Sequence, residues 1–349
     1  MERRKAKTVY AGGVGIGGSC PVTVQSMLNV ESEDIAGNVA QAKRLEAAGC
    51  DIIRIAVPDK GALRLIPALK EAVRAPIVAD IHFDYRLALE SVAAGADKIR
   101  INPGNIGDDD RVRLVAQACG RGAVPIRIGV NSGSLERHIL AKYGRPTPEA
   151  LCESALFHAA LLNRFDFDDI IISIKSSDVF AMVDACTLLA RQCDYPLHLG
   201  VTEAGGERMG SIKSAVGIGA LLAQGIGDTI RVSLTAQPEK EIAAAHDILR
   251  AAGLLRDGVE IISCPTCGRT RIDVISLAAE AERRLAGVRK PLKVAIMGCA
   301  VNGPGEAREA DIGIAGGDGE GLLFKKGVIL RKVPEQQLID ELVREIENL

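Results

Sequence analysis

The sequence predicts an α/β protein in which a TIM (β/α)8 barrel is followed by a small α+β domain. Short Val- and Ile-rich runs alternate with amphipathic helical segments, and eight strand–helix units fit into about 250 residues, the size of such a barrel. The runs are apolar on both faces, as in parallel strands that are covered on both sides. The pattern changes after about Asp257, so we expect domains at residues 1–257 and 258–349.

The predicted barrel strands follow one another along the chain. They are VTVQSM, DIIRIAV, PIVADIH, KIRINPG, PIRIGVN, DIIISIKS, PLHLGVTEA and DTIRVSL. The helix after the first strand carries Ile35, Val39, Ala42 and Leu45 on one face, and Gly49 follows as the expected stop. The opening TVYAGGVGIGGSCPV predicts a hairpin that plugs the barrel bottom. Its glycines precede a strand rather than a helix, so they do not form a dinucleotide fingerprint, and an open doubly wound sheet is the less favoured alternative.

Composition narrows the class of protein. The chain has 349 residues, 47% of them hydrophobic, and a net charge of −2. Near neutrality and the lack of Trp argue against nucleic-acid binding. The basic start has no signal-peptide core and no stretch is long enough to span a membrane, so we expect a cytoplasmic enzyme. Nine cysteines in such a chain predict reduced thiols rather than a disulfide framework.

Cationic side chains recur inside the predicted barrel strands, each beside β-branched neighbours. They are Arg54, Arg100, Arg127, Lys175 and Arg231. Successive side chains on a strand point to opposite faces, so a cation whose apolar neighbours face the helices points into the barrel. An unpaired charge there is energetically costly. Pairing with Asp80, Glu203 and Asp97 is one explanation. Because the cations outnumber these acids, we favour a polyanionic ligand, and several arginine forks suit a diphosphate.

Other polar side chains follow the ends of the same strands, where barrel enzymes carry their chemistry. They are Asp80, His82, Asn102, Asn105, Asn131, Ser173, Glu203 and Ser233. Glu203 is the best acid or base candidate because it directly follows the seventh strand. We expect His82 and Asn102 to contact the substrate, although His82 could equally be structural and Asp80 an internal ion-pair partner. His198 lies in mid-strand and fits the core better.

Three cysteines lie in two tight loops of the C-terminal domain. SCPTCG carries Cys264 and Cys267, and MGCAVNGPGEA carries Cys299. Because all five histidines precede Cys264, a local zinc site would lack its fourth ligand. Three thiolates suit a [4Fe–4S] cluster with one open iron, which Glu306 could occupy weakly. A zinc knuckle that borrows a barrel histidine, and a solvated Glu306, are the alternatives.

Together the two sites predict reductive chemistry on a phosphorylated small molecule. A basic barrel mouth would hold the phosphates, and an iron–sulfur cluster would deliver electrons and act as a Lewis acid. One alternative is a sugar-phosphate aldolase or isomerase with Lys175 as Schiff-base former and a structural zinc domain. Another is a non-enzymatic electron carrier, which would have no use for the strand-borne cations.

The chain resembles the 4-hydroxy-3-methylbut-2-en-1-yl diphosphate synthase family of the non-mevalonate isoprenoid pathway over nearly its whole length. The motifs that carry the resemblance include RLEAAGCDIIRIAVPD, KIRINPGNIG, GVNSGSLE, LGVTEAG, ISCPTCGRT and GCAVNGPGEA. The resemblance implies a TIM barrel joined to a [4Fe–4S] domain that is similar to part of sulfite reductase. It implies reductive ring opening of 2-C-methyl-D-erythritol 2,4-cyclodiphosphate, with loss of one hydroxyl as water, to (E)-4-hydroxy-3-methylbut-2-en-1-yl diphosphate.

The resemblance also implies residue roles. Cys264, Cys267, Cys299 and Glu306 match the cluster ligands, and substrate would displace Glu306. The diphosphate-binding positions fall on Arg54, Arg100, Arg127, Lys175, Arg231 and Ser233. Asp80, Asn131 and Glu203 fall on further active-site positions, with Glu203 as the proton-handling residue.

The same resemblance implies partners. Family members form homodimers in which the cluster domain of one subunit caps the barrel of the other, with flavodoxin or ferredoxin as electron donor. The chain resembles the short bacterial form, since it has no room for the extra domain of the plant type. Leu28, Val30, Gly206 and Thr266 depart from the usual pattern, but none of them removes a proposed ligand or cation.

Overall fold

A computed structural model describes residues 2–299 and 308–349. The chain forms two compact units, of which the first ends at Leu254 and the second runs from Leu255 to Leu349. In the described part of the chain, no helix combines the length and the apolar character needed to cross a bilayer.

The first unit begins with a hairpin and continues with eight parallel strands. The hairpin strands are β1 (Val9–Ala11) and β2 (Val14–Ile16). The parallel strands are β3 (Thr23–Met27), β4 (Ile52–Ala56), β5 (Ile77–Asp80), β6 (Lys98–Ile101), β7 (Ile126–Asn131), β8 (Ile170–Lys175), β9 (His198–Leu199) and β10 (Thr229–Ile230). They are hydrogen-bonded in the order β8-β7-β6-β5-β4-β3-β10-β9, and a parallel bridge from Ile172 to Leu197 joins the two ends. The sheet therefore closes, and the predicted TIM barrel is confirmed.

Helices follow the strands around the barrel. They are α1 (Ile35–Ala47), α2 (Leu65–Ala72), α3 (Tyr85–Ala93), α4 (Pro103–Ile106), α5 (Asp109–Gly122), α6 (Arg137–Tyr143), α7 (Pro148–Asn163), α8 (Val179–Ala190), α9 (Glu207–Leu222) and α10 (Pro238–Ala251). Aspartate side chains cap the N-termini of several of these helices. Asp34 accepts a hydrogen bond from the Gly37 amide, and Asp178 accepts from the amides of Phe180 and Ala181. The helix starts therefore lie just past the strand ends that carry the polar residues.

The hairpin closes the bottom of the barrel, as predicted. Its buried residues Val9, Ala11 and Ile16 pack against side chains of β4, β5 and β8, namely Ile52, Val78 and Ile171. Because side chains alternate along a strand, these contacts identify the residues that point into the barrel. Arg54 and Asp80 each lie two residues after such a position and so point inward as well.

The second unit is an α+β domain, as predicted. Its elements are β11 (Val259–Ser263), α11 (Val274–Leu285), β12 (Leu292–Met297), β13 (Ile312–Gly316), β14 (Glu320–Lys325), β15 (Val328–Pro334) and α12 (Leu338–Glu347). β11, β12 and β13 are parallel, and β14 and β15 continue the sheet in antiparallel fashion. Leu285 from α11 and Leu342 from α12 pack in one core with Ile296 and Ile314.

Candidate functional site

The predicted cations come together inside the barrel. Arg127 is 1% exposed, and Arg54 and Lys175 are each 8% exposed. The side chains of Arg100 and Arg231 are 12% and 16% exposed. We call these five residues the cation cluster. Its members are close enough that the arginines lower the pKa of Lys175 below its usual value, although burial is the larger cause.

Asp80 is the carboxylate partner of two members of the cluster. Its Oδ1 accepts a hydrogen bond of 3.0 Å from Nη1 of Arg100, and its Oδ2 lies 3.7 Å from Nε of Arg54. Nε2 of the half-exposed His82 lies 3.8 Å from the same Oδ2. Burial opposes ionisation of Asp80, but the nearby guanidinium charges outweigh it and lower its pKa. Asp80 is therefore an internal ion-pair partner, one of the two roles expected for it.

Glu241, on α10, is a second carboxylate at the cluster, and sequence reasoning missed it. Its Oε2 lies 3.5 Å from Nε of Arg231 and accepts a hydrogen bond of 2.9 Å from Ser26 Oγ. Its Oε1 accepts from the Leu234 amide at 3.0 Å. The residue lies inside an ordinary amphipathic helix, so no local motif could have singled it out.

Positive charge exceeds negative charge in the cluster. Among the ion pairs of the described residues, Asp80 and Glu241 are the carboxylates that contact it, and neither pairs with Arg127 or Lys175. Burial lowers the pKa of Arg54 to about 10, and the pKa of Arg127 also falls well below its usual value. Nη1 of Arg127 donates to the neutral Ser173 Oγ at 2.8 Å. An anionic ligand would supply the missing charge.

The cation cluster is in contact with a methionine sulfur and lies beside two glycines. Nε and Nη2 of Arg54 donate to the Met27 sulfur at 3.1 and 2.9 Å, and sulfur is a weak acceptor that phosphate oxygen would outcompete. A Cβ at Gly129 would come within 2.6 Å of Nε of Arg100. A Cβ at Gly200 would lie 3.3 Å from Nζ of Lys175. Glycine at both positions leaves room for the cationic groups.

The remaining predicted residues lie at the strand ends. Asn102 is buried, and its side chain accepts a hydrogen bond of 3.1 Å from the Gly104 amide, so it also caps α4. Asn131 ends β7 and Ser233 follows β10, and both are partly buried. His198 is fully buried, as its mid-strand position predicted.

Glu203 has an unusual backbone. It is exposed, lies after β9, and has a φ of +52°, in the left-handed region that non-glycine residues rarely adopt. Such a conformation costs about 1–2 kcal/mol and is often found at functional sites. Because Ala123, Asp166 and Lys326 share this conformation, the backbone alone does not assign Glu203 a role.

The three predicted cluster cysteines lie on two loops that leave one edge of the second sheet. Cys264 directly follows β11 and Cys299 follows β12, its parallel neighbour. The Gly298 amide donates to Cys264 Sγ at 3.1 Å, which ties the two loops together. The pKa of the exposed Cys267 thiol is lowered. The largest cause is a hydrogen bond from the backbone of Arg269, and the positive charge of Arg269 adds to the effect.

These thiols differ from the core cysteines. Burial raises the pKa of Cys50, Cys119 and Cys186 to about 12, so they remain protonated. Cys264 and Cys299 are partly exposed, so a metal ion or cluster could reach their sulfur atoms. The three thiols are therefore the type of ligand that an iron–sulfur cluster requires.

Within residues 2–299 and 308–349, however, no three His, Cys, Asp or Glu side chains already converge on one metal position. Glu306, the predicted fourth ligand, lies outside the described residues.

Comparisons with known proteins cover both units. A family model described as the GcpE TIM-barrel domain matches residues 6–246, and one described as the GcpE protein C-terminal domain matches residues 260–348. The 4-hydroxy-3-methylbut-2-en-1-yl diphosphate synthase (flavodoxin) of Caldanaerobacter subterraneus subsp. tengcongensis is 57% identical over 347 residues, which is 99% of this chain and 98% of that protein. The protein of the same name from Clostridium acetobutylicum is 57% identical over 349 residues and the whole length of both chains.

Solved structures show likeness at the level of the fold. The dihydropteroate synthase of Yersinia pestis has a TM-score of 0.51 at 16% identity and covers 71% of this chain and 99% of its own. A spore coat polysaccharide biosynthesis protein of Bacillus subtilis also has a TM-score of 0.51, at 11% identity, and covers 71% and 72% of the two chains. At these identities the likeness shows the fold alone.

Proposed function

This chain belongs to the GcpE family, and on that premise we propose that it is an iron–sulfur oxidoreductase of isoprenoid biosynthesis. It converts 2-C-methyl-D-erythritol 2,4-cyclodiphosphate into (E)-4-hydroxy-3-methylbut-2-en-1-yl diphosphate. The diphosphate ring opens, one hydroxyl leaves as water, and reduced flavodoxin supplies the electron pair one electron at a time. The family predicted from the motifs is confirmed, and the names of full-length relatives support both the reaction and the donor.

The observation that carries this proposal is the surplus of positive charge in the cation cluster. Arg54, Arg100, Arg127, Lys175 and Arg231, with Ser233, bind the diphosphate. Phosphate oxygens replace the Met27 sulfur as the acceptor for Arg54. Guanidinium forks and phosphate oxygens form charge-assisted bonds, which are strong in a poorly hydrated site.

Asp80 positions the arginines rather than the substrate. Its two oxygens face Arg100 and Arg54 at 3.0 and 3.7 Å, so both guanidinium groups are oriented before the ligand arrives. Preorganised donors cost no reorientation when negative charge develops on the leaving phosphate. His82, Asn102 and Asn131 complete the substrate contacts at the strand ends, and Glu203 holds the proton that is transferred near the reacting carbons.

Cys264, Cys267 and Cys299 hold a [4Fe–4S] cluster, with Glu306 as the fourth, replaceable ligand. When bound, such a cluster supplies single electrons and a Lewis-acidic iron for an oxygen of the substrate. The exposed Cys267, whose pKa is lowered, provides a thiolate at neutral pH more readily than the core thiols do. The barrel domain, residues 1–257, would bind substrate, and residues 258–349 would hold the cluster.

The active form is a homodimer in which each cluster domain serves the barrel of the partner subunit. The test is a heterodimer that pairs an Arg54→Met, Arg231→Met subunit with a Cys264→Ser subunit. With the cyclic diphosphate at the wild-type KM, each variant homodimer is expected to show almost no turnover, whereas the heterodimer unites an intact barrel with the intact cluster of its partner and regains activity. An inactive heterodimer contradicts an active site shared between subunits.

Turnover by the intact protein tests the function itself. Anaerobically purified full-length protein is mixed with reduced flavodoxin and the cyclic diphosphate, and the product is measured. We expect Arg54→Met plus Arg231→Met to raise KM by more than about a hundredfold, since two charged hydrogen bonds are lost and each is worth about 1.5–3 kcal/mol. Arg113→Met is the control, because that arginine pairs with Asp110 on the surface. Equal turnover by the double variant would contradict the proposed diphosphate site.

A further inference from the structure

A polar layer lies in the barrel below the cation cluster. Side chains on one strand alternate, so Lys98 faces the interior like Arg100, two residues later, and Gln25 faces it like Met27. His198 likewise precedes Gly200 by two residues, and Gly200 faces Lys175. With Arg127, which also belongs to the cation cluster, these three residues form what we call the barrel floor.

The polar atoms of the floor are buried and lack hydrogen-bond partners. Lys98 and His198 are fully buried, and Gln25 and Arg127 are each 1% exposed. Within the described residues, no partner lies in reach of Lys98 Nζ, either His198 ring nitrogen, either Gln25 amide atom, or Nε and Nη2 of Arg127. Leaving one such group unpaired is destabilising, and more so if it is charged. A concentration of unpaired groups in one layer indicates a ligand rather than a packing fault.

The electrostatics of the floor specify the sign of that ligand. Burial is the largest cause that lowers the pKa of Lys98, and the charges of Arg127 and Arg54 lower it further. Burial likewise lowers the pKa of His198, and the positive charges of Arg127, Lys175, Lys98 and Arg54 lower it further. Unpaired N–H donors of Lys98 and Arg127 also outnumber the acceptors, which are the Gln25 oxygen and one ring nitrogen of His198.

We propose that the barrel floor is a binding site for a small monovalent anion of halide size, held by Lys98, Arg127, Gln25 and His198. Water could satisfy the donors, but it would leave the positive charge of Arg127 in the floor without a counter-charge. The anion is compact because the hairpin closes the barrel from the end where Ile52 and Ile171 lie. The site shares Arg127 with the proposed diphosphate site, but its other three residues lie deeper in the barrel, and it does not depend on the proposed reaction.

Bromide provides the probe. Crystals of the full-length protein are soaked in sodium bromide with excess inorganic diphosphate, which occupies the cation cluster, and bromide is located by anomalous scattering. We expect a bromide within hydrogen-bond distance of Lys98 Nζ and Arg127. In solution, replacing methanesulfonate by bromide at constant ionic strength and saturating diphosphate is expected to raise Tm.

Two variants complete the test. Lys98→Met keeps a long apolar side chain but removes the charge, so it is expected to abolish the bromide-dependent rise in Tm. Lys60→Met, which removes an exposed lysine that pairs with Glu90, is expected to retain the full rise. Bromide at the cation cluster alone, ordered water without bromide in the floor, or an equal bromide response in Lys98→Met would each overturn the proposal. Should Lys98→Met fail to fold, the position of bromide in the wild-type crystal decides alone.

Discussion

Asp80 Oδ1 accepts a 3.0 Å hydrogen bond from Nη1 of Arg100, on the neighbouring strand of the barrel. The two residues are directly opposite each other in the β5–β6 register. Arg54 adds a second contact to the same carboxylate at 3.7 Å. One buried carboxylate thus restrains two of the arginines to which we assign diphosphate binding.

Asp80→Asn is expected to destabilise the ligand-free protein by about 3–5 kcal/mol, because it leaves buried arginine charge unpaired. Inorganic diphosphate is expected to recover more stability in this variant than in the wild type, since the ligand then supplies the missing charge. Denaturant unfolding with and without diphosphate measures both effects. Asp110→Asn removes a carboxylate that is 81% exposed, and it is expected to cost less than about 1 kcal/mol. Wild-type stability of Asp80→Asn would show that the pair is not structural.

Diphosphate binding is expected to take up a proton at Lys175. Burial and the neighbouring arginines lower the pKa of Lys175 in the free protein, whereas a bound anion raises it. Above the lowered pKa, binding therefore consumes a proton, and affinity falls as pH rises until the pKa of the complex is passed. Calorimetry in buffers of different ionisation enthalpy counts the protons. Lys175→Met retains any proton exchange of diphosphate itself, so an identical proton count in this variant would refute the assignment.

Glu203→Gly is expected to separate stability from activity. Glycine relieves the left-handed backbone by about 1 kcal/mol, while removal of the carboxylate stops turnover at unchanged iron content. Ala123→Gly is the matched control, because Ala123 has a φ of +50° at the end of α5. That variant is expected to gain similar stability and keep full activity. Normal turnover by Glu203→Gly would exclude Glu203 from proton transfer.

Cys264→Ser is expected to lose the cluster, because an alkoxide is a poor substitute for a thiolate ligand of iron. Iron and acid-labile sulfide, measured after anaerobic purification, report the loss. Cys193→Ser changes a partly buried thiol of the barrel unit and is expected to retain wild-type iron. A brown Cys264→Ser protein that still binds and converts substrate would disprove the ligand assignment.

Periodicity and alternation predicted most of what positions the site. The repeated Ile-Arg-Ile tripeptide identified Arg54, Arg100 and Arg127 as inward-facing, because alternation along a strand is local information. Partners from distant segments were harder to predict. Glu241 reaches Arg231 from a helix of ordinary pattern, so its role arises only from the packing of α10 beside the sheet.

Some local features also escaped prediction. Lys98 shares a strand and a face with Arg100, so its inward direction could have been inferred, but its lack of partners depends on the whole barrel. Two strands are shorter in the structure than the sequence predicts. PLHLGVTEA contains a strand only at His198–Leu199, and DTIRVSL only at Thr229–Ile230. Regular pairing ends there because the chain turns away, and the left-handed residues Glu203 and Gly205 mark one such turn.

Electron paramagnetic resonance of the anaerobically purified, dithionite-reduced protein, with iron and sulfide analysis, tests the central claim most directly. We predict about four iron and four sulfide per chain and a cluster signal that changes when the cyclic diphosphate is added. Cys264→Ser should lose the signal, and the Arg54→Met, Arg231→Met variant should keep it without responding to the ligand. Zinc in place of iron, or a wild-type signal that the cyclic diphosphate leaves unchanged, would contradict the account.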